Sequence, residues 1–191
     1  MSRKLLAAAA TAAAVAAPVG CAGGDATPES ADTTASKAPP AMEARLPERV
    51  SPQDETWLEK AHEANLAEIE AGGLAARKGS TGEIRSLGTM LVNEHRRLDQ
   101  RLAATAAGLG VELPHTASAE QQEKHEALEK GEGRLFDRDF VEAMTAAHEE
   151  AVALTRTEIS KGRSKEVVGL ARQTLPELER HLAMFTRTGG S

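Results

Sequence analysis

Apolar residues recur at three- and four-residue steps through four long stretches of this chain, and no stretch sustains the alternation of a half-buried strand. That periodicity restricts the chain to helices that each bury one stripe. The first stripe reads Trp57, Ala61, Ala64, Glu68, Ala71 and Ala75, widened by Leu58, Asn65 and Ile69. The second reads Ile84, Leu87, Leu91, Glu94 or His95, Leu98, Leu102 and Thr105. The third is Phe136, Phe140, Met144, His148, Ala151 and Thr155, and the fourth Val167, Ala171, Thr174, Leu178, His181 and Phe185. With one Trp, three Phe and no Tyr, the core is left to Leu, Ala, Val, Ile and Met, which suits closely packed helices better than a sheet sandwich.

Turn residues divide the pattern. Ser51-Pro52 opens a first helix running to about residue 78, and the short turn Gly79-Ser80-Thr81-Gly82 lays the second, about 82–109, antiparallel beside it. Gly108 and Gly110 end that helix. Between Val111 and Arg134 come Pro114, a capping signal at Ser118 with Gln121 three residues on, a short helix to about residue 130, and Gly131 and Gly133. Such a connection is long enough to run the length of a bundle. A third helix spans about 136–160, and Gly162 marks a tight turn. The fourth spans about 164–186 and is expected to bend at Pro176. The expected fold is all-α: a ferritin-like four-helix bundle of two antiparallel hairpins joined by a long crossover containing a short helix. The bundle occupies residues 53–188.

Ahead of it, Ser2, Arg3 and Lys4 precede an alanine-rich apolar run over residues 5–19, followed by Gly20, Cys21, Ala22 and Gly23. The run is shorter than the roughly 20 residues of a membrane span, so residues 1–21 read as a secretory signal peptide. Cys21 is the only cysteine, has no disulfide partner to serve, and stands where a lipoprotein is acylated. Pro18 departs from the aliphatic residue usual three places earlier; ordinary cleavage nearby would instead leave a secreted protein. Residues 22–52, rich in Ala, Pro, Ser, Thr, Asp and Glu, cannot bury enough surface to order themselves and read as a disordered tether. The expected location is extracytoplasmic, at the cell envelope, held to the membrane by a lipid on Cys21. Removing Arg3 and Lys4 with the signal leaves 21 Lys and Arg against 29 Asp and Glu, near −8. That charge argues against nucleic acid and against electrostatic docking on anionic lipid. Protein partners are not legible.

Each stripe carries a polar residue where a plain apolar core would use Leu or Ala: Glu68, His95, His148 and His181. Three imidazoles and a carboxylate inside a bundle are a ligand set that zinc, copper or iron accepts. Counted from the turns, the four heights agree to within about one turn. Glu177, one turn before His181, is the alternate should His181 lie too far, and Glu94 the alternate to His95. Met144 and Met184 would add thioethers to the set. A di-iron arrangement is disfavoured, because Val92, Thr145 and Leu178 stand three places before the histidines where it requires glutamates. The competing expectation is a Glu–His hydrogen-bond network that only fixes bundle register. His62, His115 and His125 read as solvated surface. No nucleophile motif or phosphate loop appears, and catalysis would need an open coordination position and a channel; no catalytic residue is assigned.

From about residue 54 to 185 the chain resembles the bacterial exported domain-of-unknown-function family 4142, grouped with ferritin-like folds. The residues that carry the resemblance are Glu68, Glu94-His95, Phe136-Asp137, His148, Leu175-Pro176 and His181. It implies the ferritin-like bundle and no settled activity. Two functions stand on these residues: a lipid-anchored metal-binding bundle serving sequestration or envelope stress, and a structural or interaction lipoprotein.

Overall fold

A computed structural model describes residues 50–190. The expected signal peptide, Cys21 and nearly all of the tether lie outside the described residues. Five helices and no strand occur among the described residues: α1 Pro52–Lys78, α2 Gly82–Leu109, α3 Ala119–Lys130, α4 Gly133–Lys161 and α5 Lys165–Gly189. None of them is long and apolar enough to cross a membrane.

Local chemistry explains the boundaries. Ser51 caps α1 in a reciprocal box with Asp54, and Pro52 occupies the first turn, where its missing N–H costs nothing. Thr81 caps α2, which stops at Gly110 in the left-handed conformation (φ 71°). Ser118 and Gln121 form the expected capping box of α3, and Ser164 Oγ accepts from Val167 N at the head of α5. Helix α4 opens at Gly133, three residues before the apolar stripe, with no side-chain hydrogen bond from its cap residue Glu132. Helix α5 continues unbroken through Pro176.

Contacts set the helix directions. Gly72 faces Gly88, Glu68 lies beside His95, and His62 bonds Asp99, so α1 and α2 run antiparallel. Val141 meets Gly189, His148 meets His181 and Arg156 pairs with Glu179, so α4 and α5 do likewise. Trp57 Nε1 donates to Thr155 Oγ1 at one end of α1 and α4, and Lys78 lies over the Phe136 ring at the other, which makes that pair antiparallel too. Helices α2 and α4 therefore point the same way, as a long crossover requires. Backbone meets backbone where α1 crosses α2: a Cβ on Gly88 would sit 2.5 Å from both Ala76 N and Gly72 O. Only glycine permits that approach.

Two apolar clusters fill the bundle. Leu74, Ile84, Leu91, Phe136, Phe140 and Phe185 belong to the one near the α1–α2 turn. Trp57, Leu58, Leu102, Ala106, Val167 and Leu170 belong to the one near the α4–α5 turn. Several stripe positions differ from expectation, Ala61, Ala64, Ile69 and Leu87 being only half-buried. Thr105 stays at the rim, bonding Arg101 O, and Ala106 turns inward; Val152 and Leu170 are buried while Ala151 and Thr174 are half-buried. The cause is the 3.6-residue helical turn, which drifts off a seven-residue repeat along helices of 25 residues or more.

At the bundle's far end, Asp54 ties α1 to the α4–α5 turn. Its Oδ1 accepts from Arg163 N at 2.9 Å and Ser164 N at 3.2 Å, while Oδ2 accepts from Ser51 N at 2.7 Å and Ser51 Oγ at 2.6 Å. Glu158 is buried beside it, with Gln53 Nε2 donating to its Oε2 at 3.2 Å. His62 is half-buried rather than simply solvated: its Nδ1 lies 2.6 Å from Asp99 Oδ1 and its Nε2 3.0 Å from Pro114 O, so it pins the crossover to α1. His115 is exposed, and His125 is half-buried on α3.

Candidate metal centre

Between the two apolar clusters, one residue from each long helix enters the same layer. Glu68 is 2% exposed, His95 1%, and His148 and His181 0%. Glu68 lies ten residues before the end of α1 and His95 thirteen after the start of α2; His148 and His181 show the same offset across their turn, thirteen against sixteen. Three residues are about 4.5 Å of rise. Side chains lean toward the N-terminus of their own helix, which carries Glu68 and His148 away from the turns and His95 and His181 toward them. The lean closes both offsets.

The three imidazoles converge on one point. His181 Nδ1 lies 3.2 Å from His95 Nε2 and 3.3 Å from His148 Nε2, and the three nitrogens fall within 4.8 Å of one another. Glu68 Oε2 joins them, 2.8 Å from His95 Nε2 and 3.6 Å from His148 Nε2. Neither contact has hydrogen-bond geometry, and both Glu68 oxygens lack a hydrogen-bond partner among the described residues. Bonds of about 2.0–2.1 Å in a tetrahedral site place neighbouring donor atoms about 3.3 Å apart. The observed spacings straddle that value.

Outside this point each ring is held by an acceptor. His95 Nδ1 lies 3.0 Å from Asn65 Oδ1, His148 Nδ1 2.8 Å from Met144 O, and His181 Nε2 2.7 Å from Glu94 Oε2. A ring carrying its proton on the outer nitrogen turns the lone pair of the inner one toward the centre. Three lone pairs and a carboxylate then face a single volume, an arrangement that repels itself unless a cation occupies the middle. Outer-nitrogen acceptors of this kind orient metal-ligating histidines.

The titration of His181 agrees with that geometry. Burial, opposed by the Glu94 hydrogen bond and reinforced by His95 and His148, depresses His181 to about 4, leaving a neutral ring at neutral pH. Burial raises the Glu68 carboxyl, but the neighbouring His148 and His95 outweigh it and hold the group well below the usual carboxylate range. Glu94 is also held low, at about 2: burial raises it, and hydrogen bonds from Arg180 and His181 prevail.

The remaining candidates separate. Glu94 is half-buried and reaches the centre only through His181, while Arg180 Nη2 donates to the same Oε2 at 2.6 Å. Met144 contributes its carbonyl to His148, and its side chain belongs to the apolar cluster beside the Phe residues. Glu177 is not in the centre: it pairs with Arg101 at 2.6 Å on the surface. Met184 is half-buried, its carbonyl accepting from Thr188 Oγ1 at 3.2 Å. Each stands one position before a buried residue of α5, Leu178 or Phe185, and about 100° of helical rotation turns it to the rim. Asn65 has no site role on the sequence reading, although its place one turn before Glu68 on the same stripe is the signal that could have found it.

The solved structures that this chain resembles include a DUF305 fragment from Deinococcus radiodurans, at 17% identity and TM-score 0.67, covering 74% of this chain and 98% of that one. CopM in the Cu(I)-bound form is similar at 16% identity and TM-score 0.58, covering 70% and 93%. A conserved hypothetical protein, rv2844, from Mycobacterium tuberculosis matches at 16% identity and TM-score 0.58, covering 73% and 92%. At such identities the likeness is one of fold, and it places the chain among ferritin-like helical bundles. No curated protein sequence matches the chain. Residues 37–187, most of the chain, match the family described as Domain of unknown function (DUF4142), and the chain belongs to that family.

Proposed function

We propose that this protein is an exported, lipid-anchored bundle that holds one transition-metal ion through His95, His148, His181 and Glu68, in a sequestration or envelope-stress role. The observation that carries the reading is the set of three inner nitrogens within 4.8 Å of one another, whose outer nitrogens already face acceptors, gathered with a carboxylate 2.8 Å from His95 Nε2. Three imidazoles and one carboxylate suit a borderline divalent cation such as zinc, copper or iron. Support also comes from CopM, a protein of similar fold that is known in a Cu(I)-bound form. The competing account, a hydrogen-bond network that fixes register, would leave each buried member partnered. Glu68 Oε1 has no hydrogen-bond partner among the described residues, and Oε2 stands only at ion-pair distance from His95 and His148. Export and anchoring rest on the composition of residues 1–23 and the lone Cys21.

The test is recovery of the protein from cells without chelator or affinity tag. It should partition with membranes, leave them in a Cys21→Ser variant, and carry about one equivalent of metal by elemental analysis. A variant lacking His95, His148 and His181 should carry none. Metal-free native protein that gains no thermal stability from added zinc, copper or iron would sink the metal reading, and a membrane association indifferent to Cys21 would sink the anchor.

A further inference from the structure

A cavity of about 930 Å³ opens between α1 and α4 beneath α3 and reaches inward to Glu68 and His95. Its size falls in the range of small-molecule sites. The walls are short and apolar where the two helices face each other: Ala61, Ala64, Ala147 and Ala151 line it, all half-buried, together with Leu154 and the buried Trp57. Larger residues at those alanines would close the gap that separates α1 from α4. Lys60, Glu120, Lys124 and Glu150, all exposed, line it as well. At the inner end stands Glu68, 2% exposed, with an Oε1 that has no hydrogen-bond partner among the described residues.

We propose that this cavity binds an apolar molecule bearing a hydroxyl head, an alkylphenol being the simplest of the class, with the hydroxyl donating to Glu68 Oε1. The walls supply hydrocarbon contact and the carboxylate supplies one acceptor. A neutral donor fits better than a cationic head. His95 and His148 already stand against Oε2, so what Oε1 lacks is a hydrogen bond, and a further buried charge would carry its own desolvation cost. The inference goes beyond the metal reading and does not require the ion, since Oε2 faces the histidines and Oε1 is the atom left over.

Trp57, the only tryptophan of the chain, lines the cavity and reports on it. Its emission is followed while 4-heptylphenol is added to the purified protein, once after chelator treatment and once metal-loaded, beside a parallel titration with 4-heptylanisole. The methyl ether has the same body and no donor. Saturable change with the phenol in both samples is expected, with the ether about tenfold weaker, the scale of one hydrogen bond to a charged acceptor. Ala64→Leu and Ala147→Leu, which fill the space while all four central side chains are retained, should each weaken phenol binding at least tenfold while metal content stays as in the native protein. No saturable response, equal affinity for phenol and ether, or native binding by folded Ala64→Leu and Ala147→Leu variants would each overturn the assignment. Should both variants fail to fold, the phenol–ether comparison on native protein decides alone. Metal content is counted separately, so loss of the metal reading and loss of this one are told apart.

Discussion

Glu158 and His181 respond to burial in opposite senses. Burial raises the Glu158 carboxyl to about 7, helped by its hydrogen bond with Asp54, whereas burial depresses His181. In the unfolded chain Glu158 titrates near its ordinary value of 4.5. The folded state therefore holds that proton more tightly. Its contribution to stability is complete below about 4.5 and is lost as pH rises through 7, on the order of 3 kcal/mol in all. Asp54, which burial would raise but hydrogen bonds from Ser51 hold at about 2, stays ionised throughout that window. Glu158→Gln keeps a donor toward Asp54 and cannot ionise. Urea melts at pH 5 and pH 8 should show the native protein losing more stability than the variant across the interval, and equal losses would refute the buried proton. The Glu158–Asp54 pairing is not legible along the chain, because position 158 has no neighbour in sequence that reports its burial against a residue more than a hundred positions away. Glu68, His95, His148 and His181 are legible, since each interrupts an apolar stripe. Which nitrogen of each ring points inward is not, since Asn65, Met144 O and Glu94 decide it from neighbouring turns and helices.

Helix spans read almost directly from the sequence, because Ser, Thr and Gly mark the ends by local chemistry that needs no tertiary partner. The choice between Glu94 and His95 does not, as adjacent residues are about 100° apart on a helix and both lie near the stripe. Packing against α1 and α5 settles it: His95 is fully enclosed and Glu94 stays half-buried at the rim. Gly72 and Gly88 set how closely α1 and α2 approach, and that separation places Glu68 beside His95. Gly88→Ala would drive a Cβ to within 2.5 Å of Ala76 N and Gly72 O, forcing the helices apart at a cost of about 2–3 kcal/mol. A lower urea midpoint and weaker metal retention are expected together; an unchanged midpoint would mean the crossing relaxes freely. Gly108→Ala is the matched control, because a Cβ at that position of α2 meets no atom within 4 Å.

Taken whole, the bundle is two apolar clusters with a polar layer between them. That layer is costly without a cation, because lone pairs and a carboxylate are enclosed together. An ion that binds only the folded state adds about 2.7 kcal/mol at a hundredfold excess over its dissociation constant. For a domain of this size the melting temperature should then rise on the order of 10 °C. Differential scanning calorimetry with and without the ion checks it, and a variant of the three central histidines should show no rise. The sequence by itself determined the helical class, the helix ends and the four interrupted stripes, because periodicity and capping act within a few residues of each other. Tertiary structure decided the convergence at a single point, the pairing of Glu177 with Arg101, the ring orientations and the alanine-walled cavity. Those depend on helix rotation, lean and separation, which are set by packing between segments distant in the chain.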